Sequence, residues 1–300
     1  MMKKIVELLD DRGPLTGKEL HNGTLLDELF LWRICNRSKK IILKTVGKRF
    51  LRLDKRVKGF ARLSPSIKRE FLTYTVTGLR KDCRKIEDKA KLLHDEIINI
   101  SRQKLKLAQD VVIKTVQYQK DPVTVASRAC FIIAGDIIYE MGHLEPRPEK
   151  STGRLIKGSD LDIIVVTEDL SEKKVKELDN TIYQEKYFLI KNPSYREEID
   201  YIVKDISKVE TQLKFNTFNY MVASKILYEG KFLYGSQKIF KKIKKMLLER
   251  KIPDKLRVIE EKAITNRKDA ESYLLNNTGV LPEEECLKLF YTKQEKEEIF

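Results

Sequence analysis

Long apolar runs are absent from this chain of 300 residues. No stretch approaches the roughly 20 consecutive apolar residues that a membrane-spanning helix needs. The N-terminal segment MMKKIVELLDDRG is an amphipathic pattern interrupted by acids, without the apolar centre or the small-residue cleavage site of a signal peptide. We therefore expect a protein that is neither secreted nor membrane-spanning and that has no membrane partner.

Cysteine and histidine are scarce and widely separated. No two cysteines form a CxxC pair, and the residues of these two types are Cys35, Cys83, Cys130, Cys286, His21, His94 and His143. This spacing argues against a disulfide framework and against a structural zinc site. The reducing cytoplasm is the compartment that it favours.

Positive charge is unevenly distributed along the chain. The chain has 60 Lys and Arg residues against 45 Asp and Glu residues, a net charge of +15. Residues 1–120 contain 29 bases and 14 acids, whereas residues 121–300 contain 31 of each. The whole excess therefore lies in the first two-fifths of the chain, which predicts a module that faces a polyanion joined to a neutral module.

The first 62 residues have the element order of a winged helix-turn-helix. The pattern predicts a helix over 3–11, a second helix capped by Thr16, and a third helix capped by Thr24 after an Asn22-Gly23 turn. Two short strands, 41–46 and 49–53, then read as a hairpin around Gly47-Lys48. Helices followed by such a ribbon predict a winged-helix domain over residues 1–62.

This domain carries the bases that we predict to bind nucleic acid. Four lie near the end of the third helix and four on the predicted wing: Arg33, Arg37, Lys39, Lys40, Lys44, Lys48, Arg49 and Arg52. In that interpretation they bind phosphates while the third helix enters a major groove. The alternative is a module that mediates dimerisation or packs on a neighbouring domain.

The segments that follow the first domain and end the chain are predicted to be helical. A short helix and a turn follow Ser64-Pro65, and residues 79–118 form one long helix or two packed helices within a connector over 63–120. In the C-terminal region, 236–300, we expect helices over 236–250, 254–277 and 282–298. The long connector helix and the C-terminal region are the candidate surfaces for a homo-oligomer.

Two acids at a strand beginning identify the candidate site. FIIAGD (131–136) reads as a buried strand that ends in glycine, and GSDLDIIVV (158–166) reads as a turn followed by a second strand. Because residues i and i+2 of a strand share a face, Asp160 and Asp162 project together while Leu161 and Ile163 enter the core. Such a pair suits Mg²⁺ or Mn²⁺.

A third acid lies in the segment REEIDYIVKD. Asp200 stands near the beginning of this predicted strand, on a face where an acid is costly unless it is paired or binds a metal. We expect Glu197, Glu198 and Asp205 to face solvent.

Residues 125–240 resemble the nucleotidyltransferase superfamily, which includes DNA polymerase beta, poly(A) polymerases and antibiotic nucleotidyltransferases. The resemblance rests on Gly135-Asp136 after the first strand, on GSDLDIIVV, on Asp200, and on ASKILYEGKFLYG (223–235). It covers somewhat over a third of the chain. It implies an α+β fold with a mixed sheet flanked by helices in a catalytic domain over 121–235, preceded by the winged-helix domain and followed by the helical region.

The resemblance also implies a metal-dependent mechanism. Asp160, Asp162 and Asp200 would be the catalytic carboxylates and the ligands of Mg²⁺ or Mn²⁺. The triphosphate of a nucleotide such as ATP would lie against residues of the first strand end, the loop and the following helix: Gly135, Asp136, Arg154, Lys157, Gly158, Ser159 and Lys225. Two features depart from the family, since Asp136 replaces a phosphate-binding serine and the loop 137–159 is about twice the expected length.

The expected activity is transfer of a nucleotidyl group from a nucleoside triphosphate to an acceptor hydroxyl (EC 2.7.7.-). The basic N-terminal residues favour a nucleic acid as acceptor, or template-independent synthesis of a short oligonucleotide, including in a toxin or defence setting. Modification of a protein hydroxyl and synthesis of a cyclic nucleotide remain open alternatives. A further alternative is a DNA-binding regulator that senses a nucleotide without transferring it.

Overall fold

The structure, a computed structural model, describes all 300 residues and has an α+β fold, as predicted. The chain forms two compact units. Unit 1 contains Met1–Ile98 and Ile259–Phe300, and unit 2 contains Asn99–Val258. These bounds group the chain differently from the four predicted segments, because residues distant in sequence pack within unit 1.

Unit 1 begins with helices and short strands. In chain order they are α1 (Met2–Arg12), β1 (Leu15–Thr16), α2 (Gly17–Thr24), α3 (Glu28–Arg37), β2 (Ile41–Thr45), β3 (Phe50–Leu53), β4 (Ala61–Ser64), α4 (Ile67–Tyr74), β5 (Thr75–Leu79) and α5 (Cys83–Gln117). Helix α5 also contributes residues to unit 2. It is a single helix of 35 residues, which resolves the two alternatives for that segment.

The predicted hairpin of residues 41–46 and 49–53 is wrong. Strand β2 pairs with β5, whose other edge takes β1, and strand β3 pairs instead with β4. Strand β5 is completely buried, whereas the sequence predicts a short helix and a turn up to Gly78 and the start of the long helix at Leu79. A buried strand therefore displaces the expected local partner, and the winged-helix fold stays a prediction.

The cap of the third helix also differs from the prediction. Helix α2 continues through Asn22-Gly23 to Thr24, and α3 begins after Asp27, whose carboxylate accepts a hydrogen bond of 2.9 Å from the Phe30 amide. Thr16 caps α2 as predicted, in a capping box with Glu19. An aspartate at this position satisfies the free amides of the first turn as well as a threonine would.

The C-terminal residues complete the core of unit 1. Helix α4 is wholly buried. Its apolar side chains belong to one core cluster with Ala270, Leu274, Cys286 and Phe290 from the C-terminal part of the chain. Lys68 of α4 forms an ion pair of 2.8 Å with Glu28, and the Trp32 ring lies 6.2 Å from that of Phe290.

Unit 2 is built around a mixed four-stranded sheet. Its elements are α6 (Pro122–Arg128), β6 (Ala129–Ala134), β7 (Pro146–Pro148), β8 (Leu155–Lys157), β9 (Leu161–Thr167), α7 (Glu172–Lys191), β10 (Ile199–Asp205), α8 (Ile206–Gln212), α9 (Phe218–Glu229), β11 (Lys231–Gly235) and α10 (Gln237–Glu249). The strand order is β10-β9-β6-β11, in which only β10 and β9 are parallel. Strands β7 and β8 form a separate hairpin.

The remaining helices are α11 (Ile252–Asn276), α12 (Glu283–Leu289) and α13 (Lys293–Lys296). The predicted helix over 282–298 is thus two helices, since Thr292 caps α13 with Glu295. The amphipathic helix predicted over 236–250 is confirmed as α10, which buries Ile239, Ile243 and Leu247. None of the helices combines the length and the apolar composition that crossing a membrane would require.

Candidate active site

Neighbouring strands of the unit 2 sheet bring the predicted carboxylates together. Asp162 of β9 stands opposite Asp200 of β10 and opposite Ala134 of β6. Paired residues of adjacent strands project to the same face, and Asp160 lies two residues before Asp162 on that face. Leu161 and Ile163 are buried, as the alternation predicts. The three acids thus lie at one edge of the sheet, where Asp200 is exposed and not on the costly face that was expected.

Gly135 is adapted to the Asp162 carboxylate. It follows β6 with a φ of 75°, a conformation that favours glycine. A Cβ atom at this position would lie 1.9 Å from Oδ2 of Asp162. Only glycine leaves room here for the carboxylate, which explains the glycine at the end of the first strand.

Burial and mutual repulsion disfavour charge on two of the acids. Burial raises the pKa of Asp162 well above its ordinary value, and the charges of Asp160 and Asp200 raise it further. Burial also raises the pKa of Asp160 to about 6, although the neighbouring Arg147 guanidinium opposes that shift. Acids at this edge therefore repel each other unless a cation lies between them.

The structure places a cation, Arg147, beside Asp160, and the sequence did not predict this residue. This nearly buried arginine of β7 forms ion pairs with Asp160 and, at 2.8 Å, with Glu198. Its Nε atom is buried without a hydrogen-bond partner. Glu198 also lies 3.4 Å from the Lys186 ammonium, so the expectation that Glu198 faces solvent is wrong.

Lys104 of α5 fixes the loop that precedes Asp160. Its buried ammonium donates hydrogen bonds of 2.9 Å to the carbonyls of Lys157 and Ser159 and pairs with Glu197 at 2.5 Å. Burial lowers the pKa of Lys104, and it raises that of Glu197. Glu197 is therefore a buried ion-pair partner rather than the solvent-facing acid that was expected, whereas Asp205 is exposed and caps α8.

Asp136 belongs to a second group of polar side chains beside the carboxylates. The Ser159 hydroxyl donates a 3.3 Å hydrogen bond to Asp136 and accepts one of 3.2 Å from the His143 amide. Nε2 of His143 lies 3.9 Å from the same Asp136 carboxylate. Ser159 and Asp136, both predicted to lie against the nucleotide, are thus hydrogen-bonded to each other. The sequence did not predict that His143 lies beside them, because no pattern around this histidine indicates it.

Lys225 is nearly buried. Its ammonium pairs with Glu229, whose carboxylate also accepts a 2.7 Å hydrogen bond from the Tyr139 hydroxyl. The charge of Glu229 contributes to the raised pKa of Asp162, which places this cluster beside the carboxylates. Glu229 lies in the LYEG segment, which is part of the family resemblance. The resemblance therefore included this position, but it did not predict that Glu229 pairs with Lys225.

The β7–β8 hairpin carries the other predicted nucleotide-binding residues. Glu149 accepts hydrogen bonds from the amides and hydroxyls of Ser151 and Thr152, which outweigh its burial and lower its pKa to about 2. Arg154 is exposed after this turn and Lys157 ends β8. At Gly158, with a φ of +55°, a Cβ would meet the His143 carbonyl at 1.8 Å.

The bases predicted to bind nucleic acid are dispersed in unit 1. Arg33 is buried and donates to the carbonyls of Leu274 and Gly279, so its assignment to phosphate binding is wrong. Four others have partners within the chain: Arg37 donates to the Leu275 carbonyl, Lys44 to Glu87, Arg49 to Glu70 and Arg52 to Gln294. Lys39, Lys40 and Lys48 are exposed.

The donor chemistry of the site fits a divalent metal ion. Carboxylate oxygens are the ligands that Mg²⁺ and Mn²⁺ prefer. No three Asp, Glu, His or Cys side chains stand together as a finished ligand set, and Asp160 is turned toward Arg147. The residues that could hold such an ion are Asp160, Asp162 and Asp200.

Comparisons with known proteins add no relative. No protein-family model matches this chain, and no curated protein is significantly similar to it in sequence. The geometry described above is therefore the basis for assigning a function.

Proposed function

We propose that this protein is a metal-dependent nucleotidyltransferase that moves a nucleotidyl group from a nucleoside triphosphate to an acceptor hydroxyl. One observation carries the proposal: Asp162 and Asp200 are register partners on adjacent parallel strands, and Asp162 lies directly against Gly135. The motifs that carry the family resemblance thus meet at one edge of the sheet. Repelling carboxylates are costly for folding, which favours a function for them.

The three carboxylates are the proposed ligands. Divalent ions held by Asp160, Asp162 and Asp200 would lower the pKa of the acceptor hydroxyl and stabilise negative charge on the α-phosphate. Gly135 leaves the space that the Asp162 carboxylate occupies. Lys104 holds the backbone of the preceding loop at two carbonyls and so sets the position of Asp160. These residues act by positioning, which is the main contribution of proteins to phosphoryl transfer.

Cations near the carboxylates are the candidates for contact with the triphosphate. Arg147, which already pairs with Asp160 and Glu198, is the first candidate, although its unpartnered Nε atom is buried. Lys225 is the second candidate, held by Glu229. Arg154 and Lys157 stay predicted contacts at the hairpin.

A nucleotide-sensing regulator without transfer activity is the second candidate function. The observation that favours it is the ion pair between Arg147 and Asp160, which occupies one of the three carboxylates. Asp136 also favours it, since an anion replaces a phosphate-binding serine. A protein of this kind would bind nucleotide and leave it unchanged.

The test incubates the purified chain with Mg²⁺ or Mn²⁺, each α-labelled nucleoside triphosphate, and separate pools of RNA, DNA and protein. Asp200→Asn is compared with Asp205→Asn, because both change an exposed acid of β10 and asparagine preserves the helix cap at 205. We expect label to enter one pool with the wild type and with Asp205→Asn, and to be reduced at least about a hundredfold with Asp200→Asn.

Other outcomes separate the candidates. A small labelled product would indicate a cyclic or short linear nucleotide. Nucleotide binding with no transfer to any pool would support the regulator, and equal transfer by both variants would contradict the assignment of the carboxylates.

A further inference from the structure

An exposed group of aromatic side chains lies on unit 2. Helix α7 presents three of them, the chain after it presents one, and the end of α5 presents another: Tyr183, Tyr187, Phe188, Tyr195 and Tyr118. We call this group the aromatic face. Large exposed rings are unusual on a protein surface, and a cluster of them indicates a surface that binds something.

Lysines lie over these rings. The Lys191 ammonium is 4.1 Å from the centroid of the Tyr187 ring. The Lys114 ammonium is 5.1 Å from the Phe188 ring and 5.5 Å from the Tyr118 ring. The rings of Phe188 and Tyr195 are 5.9 Å apart. Phe188, Tyr118 and Tyr195 thus form one group around Lys114, whose ammonium also pairs with Glu185 at 2.9 Å, and Tyr187 with Lys191 forms a second ring–cation pair on α7.

This chemistry fits a single-stranded nucleic acid better than a protein. Proteins that bind single strands combine aromatic rings, on which bases stack, with cations that follow the phosphates. Protein interfaces are also enriched in tyrosine and phenylalanine, but they are depleted in lysine. Helix α7, which carries three of these rings, exposes no leucine, isoleucine, valine or methionine side chain.

The aromatic face is continuous with the segments that carry the carboxylates. The Arg154 guanidinium donates a 3.4 Å hydrogen bond to the Lys191 carbonyl, and the Lys157 amide donates one of 2.7 Å to the Arg196 carbonyl. Tyr195 is five residues from Asp200, so at most about 18 Å of extended chain separates them. About five stacked nucleotides span that distance.

We infer that the aromatic face binds the unpaired end of a single-stranded nucleic acid. The identification of that strand as the acceptor, with its terminal hydroxyl directed to Asp200, rests on the proposed function. Binding of the strand does not, because it requires neither nucleotide nor metal. The inference also moves nucleic-acid contact from the N-terminal bases to unit 2.

The experiment measures binding of the full chain to a labelled 12-nucleotide single strand and to the same strand in a duplex, by fluorescence anisotropy without nucleotide or metal. Tyr187→Ala is compared with Tyr228→Ala, because both rings are 43% exposed and only Tyr187 belongs to the aromatic face. We expect Tyr187→Ala to weaken single-strand binding about fivefold or more and Tyr228→Ala to change it less than about twofold.

Three results would overturn the inference. The first is absence of single-strand binding by the wild type, and the second is equal affinity of the two tyrosine variants. The third is a dimer of the chain that Tyr187→Ala dissociates, which would assign the aromatic face to a second copy. Transfer activity is scored separately: binding without transfer would contradict the proposed function alone, and transfer without binding would contradict this inference alone.

Discussion

The bases of unit 1 and the acids of unit 2 were both interpreted from sequence as functional groups, and the structure treats them differently. In unit 1 arginines form ion pairs within the fold. Glu70, for example, pairs with both Arg49 and Arg267. In unit 2 the acids stay together at one edge of the sheet, where Asp162 and Asp200 face the same side. An excess of charge in sequence is therefore a weak guide to a binding surface.

The physical reason is that the two predictions rest on different information. Alternation along a strand fixes which face a side chain takes, so the placement of Asp162 follows from its neighbours Leu161 and Ile163. A count of charges contains no information about partners. Acids that pair with arginines of unit 1 come from distant sequence, such as Glu271 with Arg49 and Glu298 with Arg69.

The largest expected effect tests the placement of the acids in unit 2. Gly135→Ala should reduce nucleotidyl transfer at least about a hundredfold, because the new Cβ would force the Asp162 carboxylate to move and a displacement of about 1 Å costs that much. Gly153→Ala is the matched control: its φ is also positive, at +68°, but nothing lies within 4 Å of the new Cβ. Equal activity of the two variants would show that the contact with Asp162 has no catalytic importance.

The next effect tests the ion pairs of unit 1. Glu70→Ala should lower the free energy of unfolding by about 1.5–3 kcal/mol, because buried Arg267 loses one of its two carboxylate partners and keeps only Glu271. Urea unfolding followed by the fluorescence of Trp32, the only tryptophan, reports on this unit. Glu87→Ala removes the exposed pair with Lys44 and should cost less than about 1 kcal/mol. Similar losses in both variants would mean that the arginines of unit 1 are not held by these acids.

A smaller effect concerns a buried base of unit 2 that has no acid partner within the sheet. Burial, with a contribution from Lys208, lowers the pKa of Lys204 to about 8; its ammonium donates to Gln212 at 2.9 Å. Between pH 8 and about 10.5 the unfolded chain holds this proton and the folded chain loses it, so stability should rise with pH across that range.

Replacing this lysine should remove that dependence. We expect the gain in unfolding free energy between pH 8 and 10 to be about 1–2 kcal/mol smaller in Lys204→Met than in the wild type. Lys214→Met, which changes an exposed lysine nearby in sequence, should keep the gain. Thermal unfolding followed by circular dichroism at both pH values gives the comparison, and an unchanged gain in Lys204→Met would assign the pH dependence to other groups.

Local patterns predicted the elements of this fold better than their partners. The cap at Thr16, the long helix α5 and the buried face of α10 follow from short-range patterns, and all three are present. The pairing of β2 with β5 is a contact between distant residues that no local pattern specifies. In the candidate site the strand-borne acids were predictable for the same reason, whereas Arg147 lies on β7, a strand of three residues that is too short to show a periodicity, and Lys104 lies on a helix remote in sequence.

The smallest expected effect sharpens the comparison between the N-terminal bases and the aromatic face. Lys39 and Lys40 are exposed bases of the predicted nucleic-acid module. If neither contacts phosphate, the double variant Lys39→Gln/Lys40→Gln should change single-strand affinity less than about twofold and leave its salt dependence intact. Two lost phosphate contacts would instead lower the slope of log affinity against log salt by about 1.4. Titrations at two salt concentrations decide between these values, and a lowered slope would return nucleic-acid contact to the N-terminal module.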